Sequence, residues 1–318
     1  MKILFDGCDF VSRTGPNTFA RRLAMQLANT GHIIADPDDY DVVLAFIQTS
    51  FPIEQYRAPV VQRLDGIWFS PSEFLTKNVD ILTCYRNCDH TIFQSNFDRK
   101  MILKLWGEPN VSCSIVGNGI KIDPLKDASK LSYDLLKLRN EHEKVFVCSA
   151  NWHGQKRLKQ NVELFRHLKT NFYPRSCLIV LGSNPQMFPG TDIFYTGNVS
   201  HELCAQTYSI ADWMLHLSWL DHAPNAVIEC MMQGTPVVCS EDGGTCELVR
   251  DFGVILKETS RYNFDLVDYD DPPDVDVRQV DRPLPDIVSL GKHADIDIAT
   301  IGRQYVEVLE EVVGRSRK

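Results

Sequence analysis

Two acids, Asp221 and Glu229, stand eight residues apart in the segment WLDHAPNAVIEC (219–230), which otherwise carries almost no charge. A helix opening at Pro224 would set Asn225, Ala226 and Glu229 on one face, because residues three and four apart are neighbours on a helix surface. Helical side chains lean toward the N-terminus, so Glu229 is directed at the mouth of that helix. There the amides near Asn225 and Ala226, with the helix dipole, favour an anion. Asp221 lies in the loop on the other side of the opening. Carboxylates only accept hydrogen bonds, so they repel phosphate and hold hydroxyls. A ligand with hydroxyls on both sides of a diphosphate meets all these demands, and a nucleotide sugar is such a ligand. On this segment alone, an exposed helical acid, a loop acid and a helix-starting proline form an equally good account.

The elements that must position these residues can be read outward from them. Residues 213–219 are an apolar, aromatic-rich run of strand type that ends at the Asp-His-Ala-Pro break, and Gly234 closes the following helix as a left-handed cap. The same strand, loop, helix unit recurs along the chain, which predicts parallel sheets with helices on both faces. In such sheets ligands sit beyond the carboxyl ends of the strands. Lys156 and Arg157 follow the strand 144–149 at another strand-to-helix loop, where two adjacent cations suit a diphosphate. A solvated pair at a helix start is the alternative. Gly197, Asn198 and Val199 end the strand expected at 193–195, ahead of a helix capped by Ser200, and offer a place for a base against Val199 and backbone; a plain connection is an equal reading.

The first half is read in the same way. Strands are expected at 2–5, 42–47, 60–64, 91–94 and 112–116, with a helix over 16–30 that follows the loop 12–17 and stops at Gly31. Arg63-Leu-Asp-Gly66 ends a strand and offers Asp65 to a ligand, or caps a buried loop. The polar stretch 121–142 then precedes a new series of strands: 144–149, 177–181, 193–195, 213–219 and 236–239. Two Rossmann-like domains follow, 1–121 and 122–295, and the Gly-Gly loop 240–245 lies on the rim of the second. Residues 269–287 are rich in Pro and Asp and read as an extended connection. The stretch 296–313 has the apolar spacing of an amphipathic helix that could pack on either half.

Composition narrows the function classes. At 318 residues, the chain carries a formal net charge of -9, which argues against a nucleic-acid binder working through a broad basic field. No apolar run approaches membrane-spanning length, and the N-terminus MKILFDGCDF has no signal-peptide pattern. The ten cysteines are scattered without a Cys-x-x-Cys pair, as expected of reduced core residues in a cytoplasmic protein. Asp274 and Asp276 form an Asp-x-Asp pair inside an acidic loop and are read as exposed; with no further ligand cluster, no metal is expected. His153 and His222 lie near the expected ligand positions, but neither receives a catalytic role from its sequence context.

The stretch DHAPNAVIECMMQGTPVVCSEDGGTCELV (221–249) resembles the E-x7-E segment of glycosyltransferase family 4, the retaining GT-B glycosyltransferases, with its G-x-P-V-V and Gly-Gly-x-x-Glu elements. The resemblance extends to Thr14-Gly-Pro-Asn17, Asn118-Gly119 and the loop Asn151 to Arg157. It implies a GT-B fold of two Rossmann-like domains with parallel sheets facing a cleft, donor on the second, acceptor on the first, and the last helix, about 296–318, packing back on the first. It also implies transfer of a hexose from a nucleotide-diphosphate sugar, of GDP-mannose or UDP-glucose type, to a glycan or other hydroxyl acceptor, with retention and no required cofactor or metal. Glu229 would hold the ribose and Asp221 the transferred sugar. Gly15, Pro16, Asn17, Asn118, Gly119, Asn151, Lys156, Arg157, Gly197, Asn198, Val199, Pro224, Asn225 and Ala226 would line the donor, and Asp65 would orient the acceptor. Two residues depart from the pattern: Asp221 stands where the family has Glu, and Asn151 where it has Arg. These departures also admit an inactive nucleotide-sugar or glycan-binding protein. A nicotinamide-dependent oxidoreductase ranks low, because the first strand lacks the Gly-x-Gly-x-x-Gly turn. A retaining phosphorylase on the same fold is a further alternative.

Overall fold

A computed structural model describes residues 1–12, 14–121, 132–287 and 294–316. Arg13 of the loop 12–17, residues 122–131 of the polar stretch and the last two residues of the expected terminal helix lie outside them. The chain forms two units, one of Met1–Lys121, Asn263–Asp268 and Ala294–Lys318, the other of Ile122–Tyr262 and Tyr269–His293.

The first unit begins β1 (Lys2–Asp6), α1 (Gly15–Asn29), β2 (Ile33–Ile34), β3 (Val42–Phe46), β4 (Val60–Leu64). It continues α2 (Phe74–Lys77), α3 (Val79–Asn87), β5 (His90–Phe93), α4 (Asn96–Trp106), β6 (Cys113–Ile115). Its six strands are ordered β2-β1-β3-β4-β5-β6, and every pairing is parallel. The run VVLAF of β3 is buried at every residue, as a strand with both faces covered must be.

The second unit holds α5 (Tyr133–Glu141), β7 (Lys144–Ser149), α6 (Leu158–Asn171), β8 (Ser176–Leu181), β9 (Ile193–Gly197) and α7 (His201–Ile210). After these come β10 (Trp213–His216), α8 (Asn225–Met232), β11 (Val237–Ser240), α9 (Thr245–Val249) and β12 (Gly253–Leu256). Its sheet, again wholly parallel, runs β12-β11-β10-β7-β8-β9. The chain thus winds outward from β7 in one direction and from β10 in the other. The crevice between β7 and β10 is the switch point where a doubly wound sheet takes its ligand.

The final helix, α10 (Ile298–Ser316), belongs to the first unit. Its buried face, with Ile301, Tyr305, Leu309 and Val312, joins the core formed by Phe19, Leu23 and Leu27 of α1.

Several boundaries differ from expectation. The strand expected over 213–219 ends at His216, because the ladder partners of β10 stop there and Leu217 instead donates its amide to the Asn161 side chain at 3.1 Å. Pro224 is the residue before the first helical one, not the first itself, and its carbonyl accepts from Val227 at 3.1 Å. The short β2 and the edge strand β12 were not foreseen. Residues 263–268, expected within the second half, lie with the first: Val267 donates to Phe69 O at 3.1 Å, and the Phe264 ring centroid is 5.5 Å from that of Phe97. All ten cysteines are free thiols. Among the described residues, no helix is long and apolar enough to cross a membrane.

Candidate functional site

At the switch point of the second sheet, the loop after β7 meets the loop after β10. Lys156 comes from the first and Asp221 from the second, and they join as an ion pair, Nζ to Oδ2 at 2.5 Å. His216, the last residue of β10, stands behind them with Nε2 3.6 Å from the same carboxylate oxygen. Burial alone would raise the Asp221 pKa, but the charge of Lys156 beside it outweighs burial and holds the carboxyl well below the usual range. Burial lowers the His216 pKa in spite of Asp221, which keeps the ring neutral at pH 7.

The backbone that carries Asp221 is held from two sides. Trp219 donates its amide to Gln155 O at 2.9 Å, which joins the two loops directly. Gly244 donates to Asp221 O at 2.6 Å and Leu220 to Asp242 O at 3.2 Å, so the Gly-Gly loop after β11 braces the other side. Gly243 sits at φ +130°, and a side chain there would place its Cβ 3.0 Å from Asp221 O. Only glycine allows both the backbone angle and the approach. Leu220 is itself left-handed at φ 52°, a conformation that these bonds impose.

Arg157 departs from the expectation that it stands beside Lys156 facing a ligand. Its φ of 50° turns the side chain inward. There the guanidinium makes a bidentate pair with Glu258 at 2.7 and 2.9 Å and donates to Pro273 O at 2.6 Å and Leu217 O at 3.3 Å. Both side chains of the pair are 0% exposed. Arg157 therefore supports the loop after β10 from beneath. Asn161, one turn further along α6, accepts from Leu217 N and donates to the carbonyls of Lys156 and Arg157 at 3.2 and 3.0 Å. Neither Asn161 nor Glu258 was foreseen. The four-residue spacing from Arg157 to Asn161 is a usable signal, whereas Glu258 lies 101 residues from its partner and gives none.

The remaining expected residues fall as follows. Asn225 and Ala226 open α8 half-buried, and Glu229 lies one turn on, also half-buried. Burial pushes the Cys204 thiol of α7 up to about 11, with the Glu229 charge adding to it. Asn151, the residue standing for Arg in the resemblance, accepts a hydrogen bond from Ser183 Oγ. Gly197, Asn198 and Val199 lie at the carboxyl end of the edge strand β9, where Gly197 O accepts from Gly182 N at 2.9 Å. His153 Nδ1 is 3.2 Å from Asp270 Oδ1. Asp274 accepts from Gln160 at 3.1 Å and Asp276 pairs with Arg278, so the Asp-x-Asp carboxylates go to separate partners. Among the described residues, no three His, Cys, Asp or Glu side chains gather as a metal centre.

In the first unit, the residues expected to contact a ligand make internal contacts. Asn118 is 3% exposed; its Oδ1 accepts from Arg63, and its Nδ2 donates to Gln94 Oε1 at 3.0 Å. Gly119 packs against α10, where a Cβ would come within 2.8 Å of Ile301 Cγ1. Asn17 accepts from Asp9 N at 2.8 Å and donates to Thr14 Oγ1 at 2.9 Å, closing the loop ahead of α1 where Gly15 and Pro16 begin the helix. Asp65 pairs with the buried Arg63, which also donates to the Tyr305 hydroxyl at 3.0 Å and lies 4.5 Å from the Phe19 ring centroid. The Asp65 side chain is 11% exposed.

Residues 137–263 match the family model of glycosyl transferases group 1. No curated protein matches the sequence. Among solved structures, the chain is similar to Anabaena Alr3699/HepE in complex with UDP-glucose, at TM-score 0.68 and 16% identity over 98% of this chain and 100% of that one. It is similar to a glycosyltransferase from Rickettsia africae at TM-score 0.66 and 15% identity, over 98% of each chain. A third likeness is WaaG, a glycosyltransferase involved in lipopolysaccharide biosynthesis, at TM-score 0.60 and 12% identity over 99% of this chain and 98% of that one. With the two parallel sheets, these likenesses show the fold to be the two-domain, Rossmann-like α/β class called GT-B.

Proposed function

We propose that the chain is a retaining glycosyltransferase that moves a hexose from a nucleotide-diphosphate sugar to a hydroxyl of a glycan or other acceptor, with no required metal. The observation that carries this reading is the placement of Asp221 and Glu229 about the start of α8, with Lys156 beside Asp221, inside the segment that the family model matches.

In this reading Glu229 accepts hydrogen bonds from the ribose and Asp221 from hydroxyls of the transferred sugar. Lys156 and the first-turn amides of α8 take the diphosphate. As the glycosidic bond breaks, negative charge grows on the leaving diphosphate, and donors already fixed in place stabilise it without reorganising. Arg157 contributes by fixing the loop beneath Asp221 and not by touching phosphate. The acceptor hydroxyl attacks on the face from which the nucleotide leaves, so retention needs no protein nucleophile. Asp65, oriented by Arg63, is the acceptor-positioning acid of the first unit. The Anabaena protein holds UDP-glucose, which makes that donor the first to try, beside GDP-mannose.

The test is isothermal titration calorimetry of the purified chain against UDP-glucose, GDP-mannose and UDP-N-acetylglucosamine, with and without chelator. One donor binding equally well in chelator is the expected result, followed by glycosyl transfer with retained configuration. Binding without any transfer would place the chain among inactive nucleotide-sugar binders. No binding of any donor would overturn the proposal.

A further inference from the structure

The residues assigned to the two ends of the donor pair with each other. Lys156 and Asp221 pair at 2.5 Å with side chains only 19% and 15% exposed. Among the described residues, Lys156 is the one full positive charge paired with Asp221. His216 is 4% exposed, and its Nε2 is buried without a hydrogen-bond partner, 3.6 Å from the carboxylate. That distance is beyond a proper hydrogen bond. The backbone that carries the carboxylate is held at this place through Gly244, Leu220 and Trp219.

We propose that the Lys156–Asp221 pair selects the intact sugar nucleotide over the free nucleoside diphosphate. The inference rests on the donor-site reading given above. A diphosphate alone can bind Lys156 only by drawing it from Asp221. This leaves a largely buried carboxylate with no full counter-charge and a new anion nearby, a heavily penalised arrangement. An intact sugar nucleotide exchanges the partners instead: its phosphates take Lys156 while its sugar hydroxyls donate to Asp221. Selectivity then comes from a penalty on the wrong ligand as much as from attraction to the right one. After transfer the sugar is gone, and re-forming of the pair favours release of the diphosphate.

The experiment compares the affinities of UDP and UDP-glucose, and of GDP and GDP-mannose, for the wild type, Asp221→Asn and Lys156→Met by calorimetry. Asp221→Asn removes the competing charge and frees Lys156. The diphosphate should then bind about tenfold more tightly, the sugar nucleotide should gain nothing, and the ratio of their dissociation constants should shift by about that factor. Lys156→Met should weaken both ligands. A direct contact between Asp221 and sugar alone predicts no change for the diphosphate, and that result would overturn the inference.

A carboxyl-carbon NMR titration of Asp221 in the empty wild type and in Lys156→Met reads the pair without nucleotide. An Asp221 that titrates near the ordinary aspartate value of about 4 in the wild type would sink the inference while leaving the donor reading intact. Failure of every nucleotide to bind the wild type would sink both.

Discussion

Arg157 and Glu258 meet as a two-pronged ion pair with neither side chain exposed, although a sequence reading would set Arg157 among the ligand contacts. Removing one partner leaves the other charged and buried. Glu258→Ala should therefore destabilise the protein by about 3–5 kcal/mol, seen as a lowered urea midpoint. A loss within about 0.5 kcal/mol, the range of an ordinary surface substitution, would show that Arg157 reaches solvent.

Glu229 gives the complementary case, a change felt in binding. If its carboxylate receives the ribose hydroxyls, Glu229→Ala should weaken donor binding by about 10- to 100-fold, the size of a lost hydrogen bond to a charged group. Calorimetry on a variant with wild-type circular dichroism measures it. Unchanged affinity in that variant would remove the role.

Asn118 separates the two kinds of residue. Because it is buried against Arg63 and Gln94, Asn118→Ala should cost about 1–3 kcal/mol of stability. Donor affinity below the unfolding range should stay within about twofold. A large affinity loss with stability intact would return Asn118 to the ligand.

Acid should expose the Asp221 pair. Its folded carboxyl pKa is depressed while the unfolded value is ordinary, so the unfolded chain takes up the proton first as pH falls. The stabilisation is fully present above the unfolded pKa of about 3.9 and is lost progressively below it, toward the folded value. Chemical unfolding between pH 5 and pH 3 should show the wild type losing more stability than Asp221→Asn. Parallel losses would mean that Asp221 is not paired.

Much of the architecture was legible in the sequence because its signals are local. Runs such as VVLAF and SCLIVL are short and almost wholly apolar, the pattern of strands buried on both faces, and Ser200 marks its helix start by accepting from Leu203 N at 3.1 Å. The loops after β7 and β10 were identified for the same reason: each joins a strand to a helix at the carboxyl edge where ligands collect. The positions of Lys156, Asp221, Asn225 and Glu229 followed from that pattern.

What the tertiary structure alone decided is which charges face which. Adjacent cations at 156 and 157 look equivalent in sequence, yet a left-handed turn at Arg157 sends it to Glu258 in the interior while Lys156 reaches Asp221. Asn118 and Gly119 resemble ligand contacts in sequence, yet Asn118 is buried against Arg63 and Gln94 and Gly119 packs closely on α10. Helical and strand periodicity act over a few residues, so they can be read along the chain. Electrostatic pairing and packing depend on distance in space, and partners 65 or 101 residues apart become neighbours only after the sheet has closed its order.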